Sequence, residues 1–63
     1  MLPAKDIALA TAFPSYDTAA KMADKIAADD PDWDYGVQQV HPGRFVIAVH
    51  DDAEGDFVFL GYL

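Results

Sequence analysis

Carboxylates dominate the side chains of this chain that could do chemistry. Its 63 residues include 11 Asp and Glu against 4 Lys and Arg, for a formal net charge of −7. Eight of these acids fall in two short segments, residues 29–34 and 51–56. Such a surface attracts basic groups and cannot replace the counterions of a nucleic-acid backbone. The composition therefore favours a basic protein surface as partner and disfavours direct nucleic-acid binding, although acidity that only keeps the chain soluble stays an alternative.

The spacing Asp30-x-Asp32-x-Asp34 is the one that opens a calcium-binding loop. Two features depart from that loop: Gly36 comes one position late, and His41 stands where a bidentate Glu is needed. Weak divalent-cation binding therefore remains an alternative, and no metal ligand or cofactor is predicted.

Nucleophilic catalysis needs a nucleophile, a base and an orienting group within reach of one another. The only serine, Ser15, is better explained as a helix N-cap. His41 and His50 fall at opposite ends of one predicted strand, so they are not expected to meet. The glycines are isolated and form no phosphate-binding loop. The sequence therefore predicts a chain that is not an enzyme and has no catalytic residues.

The elements that position these residues can be read from periodicity. Residues Asp6–Phe13 alternate between large and small side chains, which predicts a strand. Ser15 then caps a predicted helix that ends near Asp29, because Pro31 disfavours helical geometry at the residue before it. The pair Asp17 and Lys21 has the i,i+4 spacing that supports a helix.

The second half of the chain reads as three strands. Trp33–Val40 and Phe45–His50 flank His41-Pro42-Gly43-Arg44, a type II turn in which Gly supplies the positive φ. A polar loop over 51–56 leads to a last strand, Phe57–Leu63. The sequence thus predicts one α+β domain over residues 1–63, in the order β-α-β-β-β, with a mostly antiparallel sheet and one helix packed on one face.

This topology brings the two acidic segments to the same end of the sheet. The helix ends and the second strand begins there, and the third strand returns to the same end after the turn at Gly43. The predicted partner-binding pole contains Asp29, Asp30, Asp32, Asp34, Asp51, Asp52, Glu54 and Asp56.

Both faces of the predicted sheet are apolar, and one helix covers only one of them. The second face needs a cover, and another copy of the chain is the simplest one, so a homodimer is predicted. The predicted apolar interface consists of Val46, Ala48, Val58, Leu60 and Tyr62.

The chain has no Cys and no apolar run long enough for a membrane span, which predicts a cytoplasmic protein without membrane contact. The leading hypothesis is a non-enzymatic protein-binding module whose acidic pole meets a basic partner. Its sharpest version is an inhibitor that mimics nucleic acid, of the type that phage and mobile elements encode. The alternative is a small homodimeric assembly protein that acts through its apolar sheet face.

Overall fold

A computed structural model describes residues 6–53 and 56–63, and for residues 52, 53 and 56 it describes the backbone alone. Three strands form an antiparallel sheet in the order β1-β2-β3, with one α-helix, so the predicted α+β class is confirmed. The predicted β-α-β-β-β order is wrong. The elements in chain order are a short 3-10 helix over Ile7–Leu9, helix α1 over Tyr16–Asp29, β1 over Asp34–His41, β2 over Arg44–Ala53 and β3 over Asp56–Tyr62.

The N-terminal segment is not the strand that its alternation predicts. The Leu9 N–H donates to the Asp6 carbonyl at 2.9 Å and so starts a 3-10 helix instead. Only Phe13 joins the sheet, through an isolated antiparallel bridge to Phe45. The reason is topological: β3 takes the edge of β2 from Ala48 onward, which leaves only the start of β2 for another segment.

Helix α1 begins and ends where the sequence predicts. The Ser15 hydroxyl accepts the Thr18 N–H at 3.3 Å, which confirms the N-cap. Lys21 and Asp17 form the expected ion pair at 3.2 Å, although both are exposed, so it adds little stability. The helix packs on β1 and β2 through a face on which Ala19 and Ala23 are buried.

The hairpin between β1 and β2 turns at Pro42-Gly43, and Gly43 has a φ of +73°. The predicted turn is therefore confirmed. The strands extend slightly beyond the predicted bounds, since β1 includes His41 and β2 begins at Arg44.

We expect Gly43→Ala to lower the free energy of unfolding by about 1–2 kcal/mol, because a Cβ penalises the left-handed backbone region. Nothing lies within 4 Å of a Cβ at Gly43 or at Gly36. Gly36 has no positive φ, so Gly36→Ala is a matched control that should cost nothing. Urea denaturation measures both variants, and equal effects would show that the backbone conformation is not the cause.

The helix-bearing face holds the core of the domain. Phe45, Ile47 and Val49 of β2 share this face with their partners on β1. Ile47 is only 1% exposed, and the ring of Phe45 meets that of Tyr16 edge-on at 6.2 Å. The core is thin, because Ile47 and Val46 are the largest fully buried side chains among the described residues.

A β-bulge changes which residues of β3 share a face. Val49 pairs with Gly61, but the next residue of β2, His50, pairs with Phe59, so Leu60 is the extra residue. Gly61 accommodates the irregularity with a φ of +148°. Phe59 and Phe57 therefore lie on the face opposite the helix, which we call the open face.

The predicted apolar interface needs two corrections. Val58 pairs with Asp51 and so lies on the helix-bearing side, because the bulge reverses the alternation on which the prediction depended. Val46 and Ala48 do point to the open face, but they are 0% and 4% exposed. The Tyr62 hydroxyl donates to Gln38 Oε1 at 3.4 Å, so its side chain crosses β2 above them.

The predicted loop over 51–56 is also shorter than expected. Strand β2 continues to Ala53, which pairs with Asp56 at the start of β3. Asp51 and Asp52 therefore lie in a strand and not in a loop. No helix in the described part of the chain is long and apolar enough to cross a membrane.

Candidate partner-binding surface at the acidic end of the sheet

The register of the sheet determines where the acidic segments lie. Asp34, the first residue of β1, pairs with His50, so Asp51 extends one residue beyond the start of β1. The segment that joins α1 to β1 lies at this same end. We call this region the acidic end; its described acids are Asp29, Asp30, Asp32, Asp34 and Asp51.

The remaining three predicted acids are less fully described. Asp52 pairs with Phe57 and Asp56 with Ala53, so the backbone of both lies in the β2–β3 hairpin beyond Asp51. Glu54 lies outside the described residues. Its part in the predicted pole stays a prediction.

The end of α1 fixes the position of two of these carboxylates. Asp29 is the last helical residue, and the Asp30 N–H donates to the Ile26 carbonyl at 2.9 Å as the C-cap. The helix stops here because Pro31 follows. Asp29, Asp32 and Asp34 are exposed, whereas Asp30 and Asp51 are half-buried.

The electrostatics of this end are unfavourable for the chain alone. The last turn of α1 contains no basic residue, and Asp29 lies at the negative end of the helix dipole. Among the described residues, the ion pair Lys21–Asp17 lies at the start of the helix and neutralises nothing here. Within the described part of the chain, the acidic end therefore offers several exposed carboxylates that form no ion pair with a Lys or Arg.

Tyr35 links the acidic end to the sheet. Its hydroxyl donates to Asp30 Oδ2 at 3.5 Å. Burial raises the pKa of Tyr35 above its ordinary value of 10.0, and the negative charge and the hydrogen bond of Asp30 raise it further. The neutral phenol therefore stabilises the folded state.

A pH dependence follows from this direction. The pKa of Tyr35 in the folded state lies above the unfolded value of 10.0. The contribution of Tyr35 to the free energy of unfolding is therefore complete below pH 10.0 and is lost as the pH rises through the folded pKa. We expect the free energy of unfolding to fall more steeply in this alkaline range for the wild type than for Tyr35→Phe. Urea denaturation across the range measures both. Identical slopes would contradict this role of Tyr35.

The residues considered for metal binding and catalysis do not form a site in the described part of the chain. No three His, Asp or Glu side chains there are arranged to hold a metal ion. Ser15 is engaged as a helix cap. His41 pairs with Arg44 and His50 with Asp34, so the two histidines lie at opposite ends of the sheet.

An aromatic cluster beside the acidic end was not identified from the sequence. On the open face, the ring of His50 stacks on Phe57 with centroids 4.2 Å apart, and Phe59 lies 5.4 Å from the same imidazole. Phe59 also meets Tyr62 edge-on at 5.1 Å. Gly61 was the only signal in the sequence that a bulge could bring Phe57, Phe59 and Tyr62 to one face.

Comparisons of the chain with protein-family models, with curated proteins and with solved structures found no match.

Proposed function

We propose that this chain is a non-enzymatic protein-binding module that docks its acidic end on a basic protein surface. The observation that carries the proposal is the register Asp34–His50, because it sets Asp51 beside the segment that ends the helix. Five described carboxylates then belong to one end of a small molecule with a net charge of −7. Complementary charge across an interface speeds association and selects partners.

The surroundings of these carboxylates support the proposal. Strands and a helix end hold the acids, so several of them are fixed before any partner arrives, and preorganisation reduces the entropic cost of binding. The exposed ring of Phe57, which lies beyond His50 in the β2–β3 hairpin, supplies the apolar contact that purely electrostatic docking lacks. Aromatic residues with a charged rim are typical of protein–protein interfaces.

The sharper form of the proposal is an inhibitor of a nucleic-acid-handling protein. A mimic of this kind presents carboxylates in the places of phosphates; here the carboxylates lie at the end of α1, in the turn that follows it and on the paired strands β1 and β2. Among the described residues, no Lys or Arg lies beside the aromatic cluster to hold a nucleic-acid backbone, which favours mimicry over direct binding.

The test is capture of proteins from a lysate of the source cells on the immobilised chain, followed by stepwise elution with salt. We expect the bound protein to be basic, to leave at moderate salt and to be displaced by duplex DNA or RNA. Captured proteins that are acidic and resist salt elution would contradict docking through the acidic end. Elution by salt without displacement by nucleic acid would retain docking and reject mimicry.

A further inference from the structure

The open face of the sheet carries an exposed apolar surface that the helix does not cover. Phe57 and Phe59 on this face are 58% and 49% exposed, although large aromatic side chains usually supply the core of so small a domain. The described core contains only small and medium-sized side chains. A second layer on this face would bury part of this exposed aromatic surface.

Gly36 lies on the same face, in the middle of β1, and the monomer gives no reason for a glycine there. Its φ is not positive, and a Cβ would meet nothing within 4 Å. Glycine weakens a strand interior and often marks a position that another backbone or side chain approaches closely. The open space above Gly36 therefore points to an occupant from outside the protomer.

The open face also has opposite charges at its two ends. Arg44 shares this face with Val46 and Ala48 by alternation, and Asp34 shares it through its pairing with His50. Arg44 and His50 are six residue steps apart on β2, a distance of roughly 20 Å along the strand. Arg44 has no ion pair with any described residue, and its Nε is buried there without an acceptor.

We propose that the open face is the contact surface of a two-fold homodimer in which the strands of the two protomers run in opposite directions. This orientation sets the Arg44 end of each protomer over the Asp34 end of its partner. The other two-fold orientation sets acidic end on acidic end, and juxtaposed like charges cost several kcal/mol. The charges thus select both the partner, a second copy, and its direction.

The shape of the face fits this arrangement. Gly36 and Gln38 are successive open-face residues of β1. They pair with Ala48 and Val46, which lie on either side of Ile47, the midpoint between Arg44 and His50 on β2. The reversal of strands therefore sets Gln38 of the partner subunit over the space at Gly36. Phe59 pairs with His50 at the Asp34 end, so the same reversal brings Phe59 toward the partner's Arg44 and sets this exposed ring between the two sheets, which pack about 10 Å apart.

A charge exchange tests the dimer directly. We expect the wild type to sediment as a dimer of twice 6.9 kDa. Arg44→Glu alone and Asp34→Arg alone should each raise the dimer Kd by about a hundredfold or more, since each creates two like-charge pairs. An equimolar mixture of the two variants should restore a dimer, because both opposed pairs then join opposite charges, one with the native sign and one with the sign reversed. No pairing within a protomer can give this rescue, because the two residues lie at opposite ends of the face.

A second pair of variants keeps the test decisive if Arg44→Glu does not fold. Gly36→Tyr fills open space in the monomer and should preserve the circular dichroism spectrum while abolishing the dimer. Gln39→Tyr places the same ring on the opposite side of β1, where Gln39 is exposed, and should leave the dimer intact. A wild type that remains a monomer at the concentration of an NMR sample would overturn the proposal. So would a dimer that Gly36→Tyr leaves intact, or two charge variants that do not associate with each other.

Discussion

Ile47→Ala is expected to lower the free energy of unfolding by about 2–5 kcal/mol, the range of a large-to-small change in a packed core. Ile47 is 1% exposed and lies in the central strand beneath the helix, with Phe45 and Val49 as neighbours on its face. A domain of this size has little stability to lose, so this single change should leave a large share of the molecules unfolded.

A matched variant separates burial from residue type in this experiment. Ile7→Ala removes the same atoms from a side chain that is 43% exposed and should change stability by only about 0.5 kcal/mol. Thermal and urea denaturation measure both. Equal effects of the two variants would mean that the helix does not seal the face on which Ile47 lies.

Neutralising the acidic end is expected to weaken binding to the captured basic partner by at least about tenfold, or about 1.4 kcal/mol. The variant combines Asp29→Asn, Asp32→Asn and Asp51→Asn, three described carboxylates of the acidic end. Asp34 is left unchanged because it also belongs to the proposed dimer contact. Loss of these charges removes attraction to the partner, and it should also reduce the salt dependence of the affinity.

The control for this variant removes the same number of charges elsewhere. The control variant combines three substitutions on the N-terminal segment and on the exposed side of α1: Asp6→Asn, Asp17→Asn and Asp24→Asn. If position matters, this control should weaken binding by no more than about twofold, apart from the general effect of net charge on association rate. Equal losses in both triple variants would mean that net charge, and not the acidic end, attracts the partner.

Local signals in the sequence were enough to predict the helix and the first hairpin. Ser15 and Pro31 set the limits of α1 through backbone geometry that depends only on near neighbours. Gly43 set the turn for the same reason. The turn also set which strand ends pair. A bulge at Val40 then shifts the pairing by one residue, so that Asp34 pairs with His50, and this leaves Asp34 and Asp51 as neighbours.

Non-local competition explains what the sequence did not predict. The alternation in Asp6–Phe13 suits a strand, but β3 already occupies most of the edge of β2 that this segment could pair with. The bulge at Leu60 depends on how β3 fits against β2; Gly61 is a local signal that a bulge can occur, but it does not specify which residue is the extra one. Because the bulge reverses alternation, the prediction for the open face included Val58 and omitted Phe57 and Phe59.

The most direct test of the central claim is to map where the captured partner contacts the chain. An isotope-labelled sample titrated with that partner gives an amide NMR spectrum in which contacted residues shift or broaden. We predict that the largest changes fall on residues 29–34 and on Asp51, where the helix ends and the sheet begins. Changes confined to the turn at Gly43 and to the exposed side of α1, with the acidic end unaffected, would contradict the proposed docking surface.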